Sequence, residues 1–504
     1  MSDSDRSAFH LTSFRRSVMF TGSGSSLNIL FLLMEMVAAV RFLSTEAYGV
    51  YVLLIAVTNF LVMVSDFGFK TAVTQMIAGS APEHRAAIAE NALAFRLLVS
   101  TCIVAALWPA QNLLSLLSPP ESAMRYAVYL PLLFTFASFD ELLNGMLQGF
   151  HQYRHLAIVS VARGILRFIL TLFFLGLLDL ELTGLIYSWI LSFAASCVFQ
   201  LVVLPIPKRI TLSRQMLGSI VRFGFPLQVT RYLWFAFYQT NVLLLGALAG
   251  PASVACYAVA ARIPDAFERL FESYIAVFFP SMSALLASVK RAQADWVLNH
   301  SLRLISFVSS FAALVGVLFG HQAMVMVFSE KYADSGKVFG VLMVALQVGF
   351  LFTLMGYTLT AAGYPGRSLA VNLTRAVINV VGDLALIPLL GVMGPAIASL
   401  VASHGSNPIA LLLLKRSGMA AEVGPYVKQS AVLLIYAAVA WSAEALQWVD
   451  QSVQPVFGAA VLTLFVGTSF LTGAISREDL SLLLPRITKN GSSLPKESVQ
   501  YGQR

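Results

Sequence analysis

The sequence predicts an all-α polytopic membrane protein with about 14 transmembrane helices, and three observations predict it. Of its 504 residues, 58% are hydrophobic and 12% are charged, where a soluble domain carries about 25% charged. The apolar residues come in runs of about 20, which suits a bilayer-crossing helix and far exceeds a barrel strand. Lysine and arginine, finally, divide unequally between alternate connections. The mean hydropathy of +0.78 excludes the soluble, disordered and collagen-like classes.

The chain opens with a short polar segment, Met1 to Arg16, holding three arginines. The apolar run Leu27–Val40 contains Glu35, which the core of a cleavable signal would avoid. This start therefore reads as a cytoplasmic tail leading into a membrane helix. The spans are expected at about 18–40, 47–67, 88–109, 126–148, 155–178, 182–204, 222–248, 253–286, 304–321, 338–361, 369–390, 392–413, 429–448 and 455–475. The eighth contains Pro264, which should kink it. The longest connection, about twenty residues, falls between spans two and three. Thr488–Arg504 is polar and reads as a disordered tail.

Charge sidedness tests that count. With the N-terminus inside, 21 Lys/Arg fall in cytoplasmic segments and four (Arg41, Arg125, Lys331, Lys337) in outer loops. By the positive-inside rule both termini are cytoplasmic, in the cell's inner membrane. The formal charge of +8 thus reports orientation rather than a nucleic-acid partner. Cys102, Cys197 and Cys256 all lie in apolar runs, giving no disulfide framework and no zinc set. His151 and His155 have ligand-like spacing but no cysteine or carboxylate close by, so no metal or cofactor is expected. Short connections leave no room for an extramembrane catalytic segment, which argues against an enzyme.

Weak internal matches recur at similar offsets of 206, 213 and 210 residues. Ala47–Tyr51 resembles Ser253–Tyr257, Arg154–Ile158 resembles Arg367–Val371, and Leu182–Gly184 resembles Val392–Gly394. Each offset corresponds to six spans, an even number, so the repeats are parallel. Two six-helix lobes are expected at 1–206 and 207–417, with two extra helices and the tail at 418–504.

In order and spacing, a series of short islands resembles the polysaccharide flippases of the multidrug/oligosaccharidyl-lipid/polysaccharide exporter superfamily. They are Arg41–Ser44 running into Tyr48–Tyr51, Asp66–Phe69, Leu147–Phe150, Phe223–Leu227, Leu243–Gly246 and Tyr257–Ile263. Asn379 and Asp383, leading into Leu386–Pro388 and Gly394–Ala398, complete them. One departure is Asn241, where many members carry an acid, and it puts cation or proton coupling at this position in doubt. The resemblance implies two lobes around a central cavity open to each side in turn. Its implied cargo is an oligosaccharide repeat unit on a polyprenyl pyrophosphate, and its implied partners are membrane lipids and polysaccharide polymerase and export proteins.

Such a cargo needs cations for its pyrophosphate, and arginine binds phosphate oxygens bidentately. Ionisable groups inside spans are costly and therefore functional candidates. Arg231 lies nine residues beyond Arg222, about 13 Å deeper at about 1.5 Å per residue. It either binds cargo or pairs with an acid on another helix, such as Glu35. Arg262, Asp265, Arg269 and Glu272, spaced three, four and three apart, share one face of span eight. They form either a salt-bridge ladder or a cargo contact. Arg163 and Arg167 on span five, with Arg375 in the corresponding region of the second lobe, are candidates for cargo entry. Glu35, Arg41, Asp265 and Asn241 are the gating or coupling candidates. Aromatics around Arg231 (Tyr232, Trp234, Phe235, Phe237, Tyr238) either stack on sugars or pack against lipid. Two rival readings are a multidrug/cation antiporter of the same superfamily and a membrane glycan-assembly enzyme.

Overall fold

A computed structural model describes residues 27–107, 125–206, 213–288, 290–446, 448, 453–476 and 479. The chain forms α1 (27–42), α2 (Thr45–Asp66), α3 (Phe69–Gly79), α4 (Pro82–Leu107), α5 (Leu130–Gly149) and α6 (Tyr153–Thr171). A wider turn, Leu172–Leu177, extends α6. Then come α7 (Glu181–Val203), α8 (Arg214–Tyr238), α9 (Thr240–Ala287), α10 (Arg291–Val327) and α11 (Ser335–Ala361). Helices α12 (Pro365–Leu390), α13 (Met393–Arg416), α14 (Val423–Ala445) and α15 (Gln454–Leu471) follow. Among the described residues there is no strand. Twelve of the helical stretches are long and apolar enough to cross a bilayer. Beyond those twelve, the first expected span, 18–40, is described only from residue 27 on, where it is α1, and most of the seventh falls on the more polar α8.

Local sequence sets the corners. Ser44 caps α2, its hydroxyl accepting from the Ala47 amide at 3.1 Å. At the other end Phe67 and Gly68 both take left-handed conformations (φ 47° and 76°), turning the chain directly into α3. The twenty-residue connection expected there is thus mostly helix, and the third span starts at Pro82. The seventh span breaks at Gln239, and its continuation runs into α9. The interruption within α9 is Gly250 (φ 81°, ψ 173°), whereas Pro264, the expected kink, keeps helical angles.

Small residues bring the helices together. Helix α2 runs along α9, and α11 is almost wholly enclosed by α9, α10, α12 and α13. A Cβ on Gly49 would lie 1.8 Å from the Pro251 carbonyl oxygen, and one on Gly68 2.0 Å from that of Gly224. Both ends of α2 therefore touch opposing backbone, the close approach that small residues permit in membranes. Arg96 on α4 reaches α2, donating to Asp66 at 2.7 Å and to the Ser65 hydroxyl at 3.0 Å in a fully buried pair. The apolar residues left exposed, such as Val198 and Val202 on α7 and Leu471 on α15, form faces suited to lipid.

Candidate functional site

Helix α6 places Arg163 and Arg167 one turn apart on one face. Gly164 lets α1 come close, since a Cβ there would lie 2.7 Å from the Asn28 side-chain oxygen. That approach brings Glu35 to Arg167, whose Nε donates to Glu35 Oε2 at 2.5 Å. The pair is almost completely buried. Glu35 is therefore a counter-ion of Arg167, while its pairing with Arg231, which the sequence allowed, falls outside the described residues. Its other oxygen, Oε1, has no hydrogen-bond partner among the described residues. The Arg167 guanidinium also sits 5.0 Å from the Trp189 ring centre, and that of Arg163 5.0 Å from Phe193.

Arg163 pairs with Asp140 of α5. Asp140 additionally accepts from Ser196, from Gln200 at 2.8 Å and from Asn144 at 2.8 Å. This saturated carboxylate holds α5, α6 and α7 together. Sequence reasoning missed it, because its partners come from three helices.

The two α6 arginines line a cavity of about 380 Å³ bounded by α1, α2, α6, α7 and α9. From the far wall α9 contributes Arg262, so three guanidiniums converge on this space. Arg262 lies within electrostatic reach of Glu35 but forms no ion pair among the described residues. Among the described residues no contact ion pair joins Arg262, Asp265, Arg269 and Glu272 into a ladder, the first of the two alternatives for this face, although Arg262 and Arg269 both lie within electrostatic reach of Asp265. The face divides instead: Arg262 looks into this cavity, Glu272 into another, and Arg269 is exposed and lines neither.

That other cavity, about 760 Å³, lies between α9, α11 and α12. Arg375 lines it, its guanidinium 5.0 Å from the Phe352 ring centre. Asn241 lies elsewhere, in a buried polar knot. Its amide donates to the Tyr257 hydroxyl at 3.2 Å and to that of Ser399 at 3.5 Å, and Asn379 also donates to Ser399. Asp383, one turn from Asn379, is fully buried, and neither of its oxygens has a partner among the described residues. The side chain of Arg231, with those of Trp234, Phe237 and Tyr238, lies outside the described residues. Phe235 packs on Phe60, ring centres 5.5 Å apart, rather than into either cavity.

Arg41 closes one end of the bundle. It reaches the Met326 and Val327 carbonyls at the end of α10, each at 3.4 Å. Lys331 reciprocates, donating to the Leu43 carbonyl at 3.3 Å and to that of Arg41 at 3.5 Å, at the end of α1. Arg41 thus sits at the negative end of α10 and Lys331 at that of α1.

The pattern of the polysaccharide biosynthesis protein family matches residues 14–286, more than half of the chain. The chain belongs to that family. The resemblance read from the islands between Arg41 and Ile263 is thereby borne out. A curated relative, the probable flippase AglR of Haloferax volcanii, is 26% identical over 207 residues, 40% of this chain and 42% of that protein. The match thus spans less than half of that relative's length. In three dimensions the chain is similar to the lipid II flippase MurJ in an inward closed conformation. The TM-score is 0.68 at 15% identity, covering 90% of this chain and 99% of that one. It is also similar to an inward-facing multidrug resistance MATE family transporter of the MOP superfamily. There the TM-score is 0.66 at 18% identity, with 78% and 96% covered. At these identities the likeness is one of fold, and the fold is that of a polytopic helical membrane protein.

Proposed function

We propose that the protein is a transporter, not an enzyme. In this reading it flips a polyprenyl-pyrophosphate-linked oligosaccharide from the cytoplasmic to the outer leaflet of the inner membrane by alternating access. One observation carries the reading: Arg163, Arg167 and Arg262 converge on a single cavity from α6 and α9. Membership in a polysaccharide biosynthesis family and a fold similar to a lipid II flippase support it. A multidrug or cation exporter would want deep carboxylates facing its cargo, whereas the cavity that Arg262 shares with Arg163 and Arg167 has, among the described residues, guanidiniums and no carboxylate in its lining.

The chemistry follows from the pairing. Arg262, with no ion pair among the described residues, meets the anion first. Arg163 and Arg167 can then exchange carboxylate for phosphate oxygens without passing through an unpaired buried state. Glu35, released from Arg167, becomes costly to keep ionised at that depth and takes up a proton, which makes it the coupling group. Residues 1–206 and 207–417 act as the two moving units, α2 and α9 forming the contact between them.

The test is reconstitution in vesicles, following the leaflet distribution of a lipid-linked oligosaccharide. Transport leaves its chemical structure unchanged, while glycan transfer or hydrolysis by the protein alone would overturn the reading. A charge-assisted hydrogen bond contributes about 1.5–3 kcal/mol, so Arg262→Ala should slow flipping about tenfold or more. Arg262→Lys, which keeps charge without the fork, should retain part of it. Arg231 is expected to follow the same order, with Arg231→Glu worse than Arg231→Ala. Normal flipping by a well-inserted Arg262→Ala protein would remove the site assignment.

The Arg41–Lys331 latch holds the outer end shut in this scheme. A cation at a helix C-terminus contributes about 0.3–1 kcal/mol. Arg41→Gln with Lys331→Gln should therefore move the open–closed balance about 3- to 30-fold towards open, read as thiol labelling of a cysteine placed at Ser329. Unchanged labelling would mean that the latch does not gate.

A further inference from the structure

Glu268 and Glu272 stand one turn apart on α9, both lining the 760 Å³ cavity. That volume is within the range of about 300–1,000 Å³ typical of small-molecule sites. The walls are aromatic and hydroxylated. Phe271 stacks on Phe350 with ring centres 4.1 Å apart, and Phe279 meets Tyr357 edge-on at 5.6 Å. Thr353 and Thr360 donate their hydroxyl protons to carbonyls of their own helix, at Gly349 and Gly356. Their oxygens retain acceptor capacity. Glu272 is exposed on a membrane-embedded helix, and a carboxylate there faces a hydrated space or a cargo rather than lipid.

The two cavities share a helix. Arg262 lines the first and Glu268 the second, six residues further along α9. At about 1.5 Å rise per residue that separation is about 9 Å. The two side chains thus stand about 9 Å apart along the axis and about 240° apart around it, the step that sugars next to a pyrophosphate held at Arg262 would have to span. The lining changes sign over that distance: among the described residues, three arginines and no carboxylate line the first cavity, two carboxylates and one arginine the second. Carboxylates accept hydrogen bonds from hydroxyl and ammonium groups and repel other anions, while aromatic rings offer flat apolar faces to a sugar's C–H surface.

We propose that the cavity between α9, α11 and α12 is the subsite for the sugars next to the pyrophosphate, and that it selects neutral or amine-bearing sugars over acidic ones. This rests on the transport reading above and adds to it the charge class of the glycan. Phe271 and Phe350 supply the floor, Glu268 and Glu272 the hydroxyl acceptors, and Arg375 is the positioning cation of the opposite wall.

The experiment compares three probes with the full chain in lipid nanodiscs. They are a bare polyprenyl pyrophosphate, the same lipid bearing a neutral disaccharide, and the same lipid bearing a disaccharide with a uronic acid. Binding is measured by competition. The neutral glycolipid should bind at least tenfold more tightly than the acidic one. Glu268→Gln/Glu272→Gln should cut that preference to threefold or less while leaving the bare lipid's affinity unchanged. Glu272 is exposed, so Glu272→Gln alone carries the test if the double variant inserts poorly, with a partial loss of preference expected. An undiminished preference in these variants, or no preference in the wild type, overturns the proposal. A separate arm covers the underlying reading: if Arg262→Ala leaves binding of the bare lipid unchanged, the assignment of the pyrophosphate site falls, and this subsite falls with it.

Discussion

Arg167→Ala should yield a protein that inserts poorly or unfolds at a much lower temperature in detergent, and Glu35→Gln in the same chain should restore it. The side chains of the pair are 9% and 5% exposed, in contact at 2.5 Å. Removing one partner of such a pair leaves an uncompensated buried charge and costs about 3–5 kcal/mol, whereas replacing both by neutral groups is often close to neutral. The single variant should therefore be the least stable of the set, and the double variant close to wild type. Transport separates structure from function: the restored double variant is expected to be folded but slow, because one of the three cavity guanidiniums is gone. A stable Arg167→Ala protein would show that Glu35 is already neutral in the resting state. Full transport by the double variant would remove Arg167 from the cargo site.

The second large effect is expected from one methyl group. Gly49→Ala places a Cβ 1.8 Å from the Pro251 carbonyl oxygen, a backbone atom that no rotamer change can move aside. Ordinary contact lies beyond about 3.4 Å, so α2 and α9 must part by more than an ångström at that end. The expected result is a protein held open there, with transport reduced about tenfold or more. Ser253→Cys, in a background without native cysteines, should label faster with an impermeant thiol reagent. Gly79→Ala is the control, since nothing lies within 4 Å of a Cβ there, and it should leave transport and labelling unchanged. If Gly49→Ala behaves like that control, the contact is not part of the transport cycle.

The glycine case shows what several of the islands of family resemblance contain. Tyr48–Tyr51 contains the glycine that meets Pro251, and Asp66–Phe69 and Phe223–Leu227 contain the two glycines that meet each other. Leu147–Phe150 contains Gly149, whose Cβ would lie 2.9 Å from the Thr74 carbonyl oxygen. These small residues mark where helices touch backbone to backbone. Their spacing was readable; their partners were not, because a glycine carries no chemical sign of what it faces.

The spans themselves were readable in one dimension. Crossing a bilayer requires a local run of apolar residues and a backbone satisfied within its own helix, so α2, α5, α7 and α11 to α15 appear where the hydropathy put them. Readout failed where a helix needs neither apolarity nor a full crossing, as at α3 and in the break of the seventh span at Gln239. The sequence also exposed the cost of each buried charge, and with it Glu35, Arg163, Arg167 and Arg262 as candidates. Only the tertiary structure decided their partners: Glu35 with Arg167 across 132 positions, and Asp140 with groups from three helices. The reason is the range of the forces. Hydropathy acts residue by residue along the chain, whereas ion pairing inside a membrane depends on which helices lie side by side, and that is settled by packing among segments far apart in sequence.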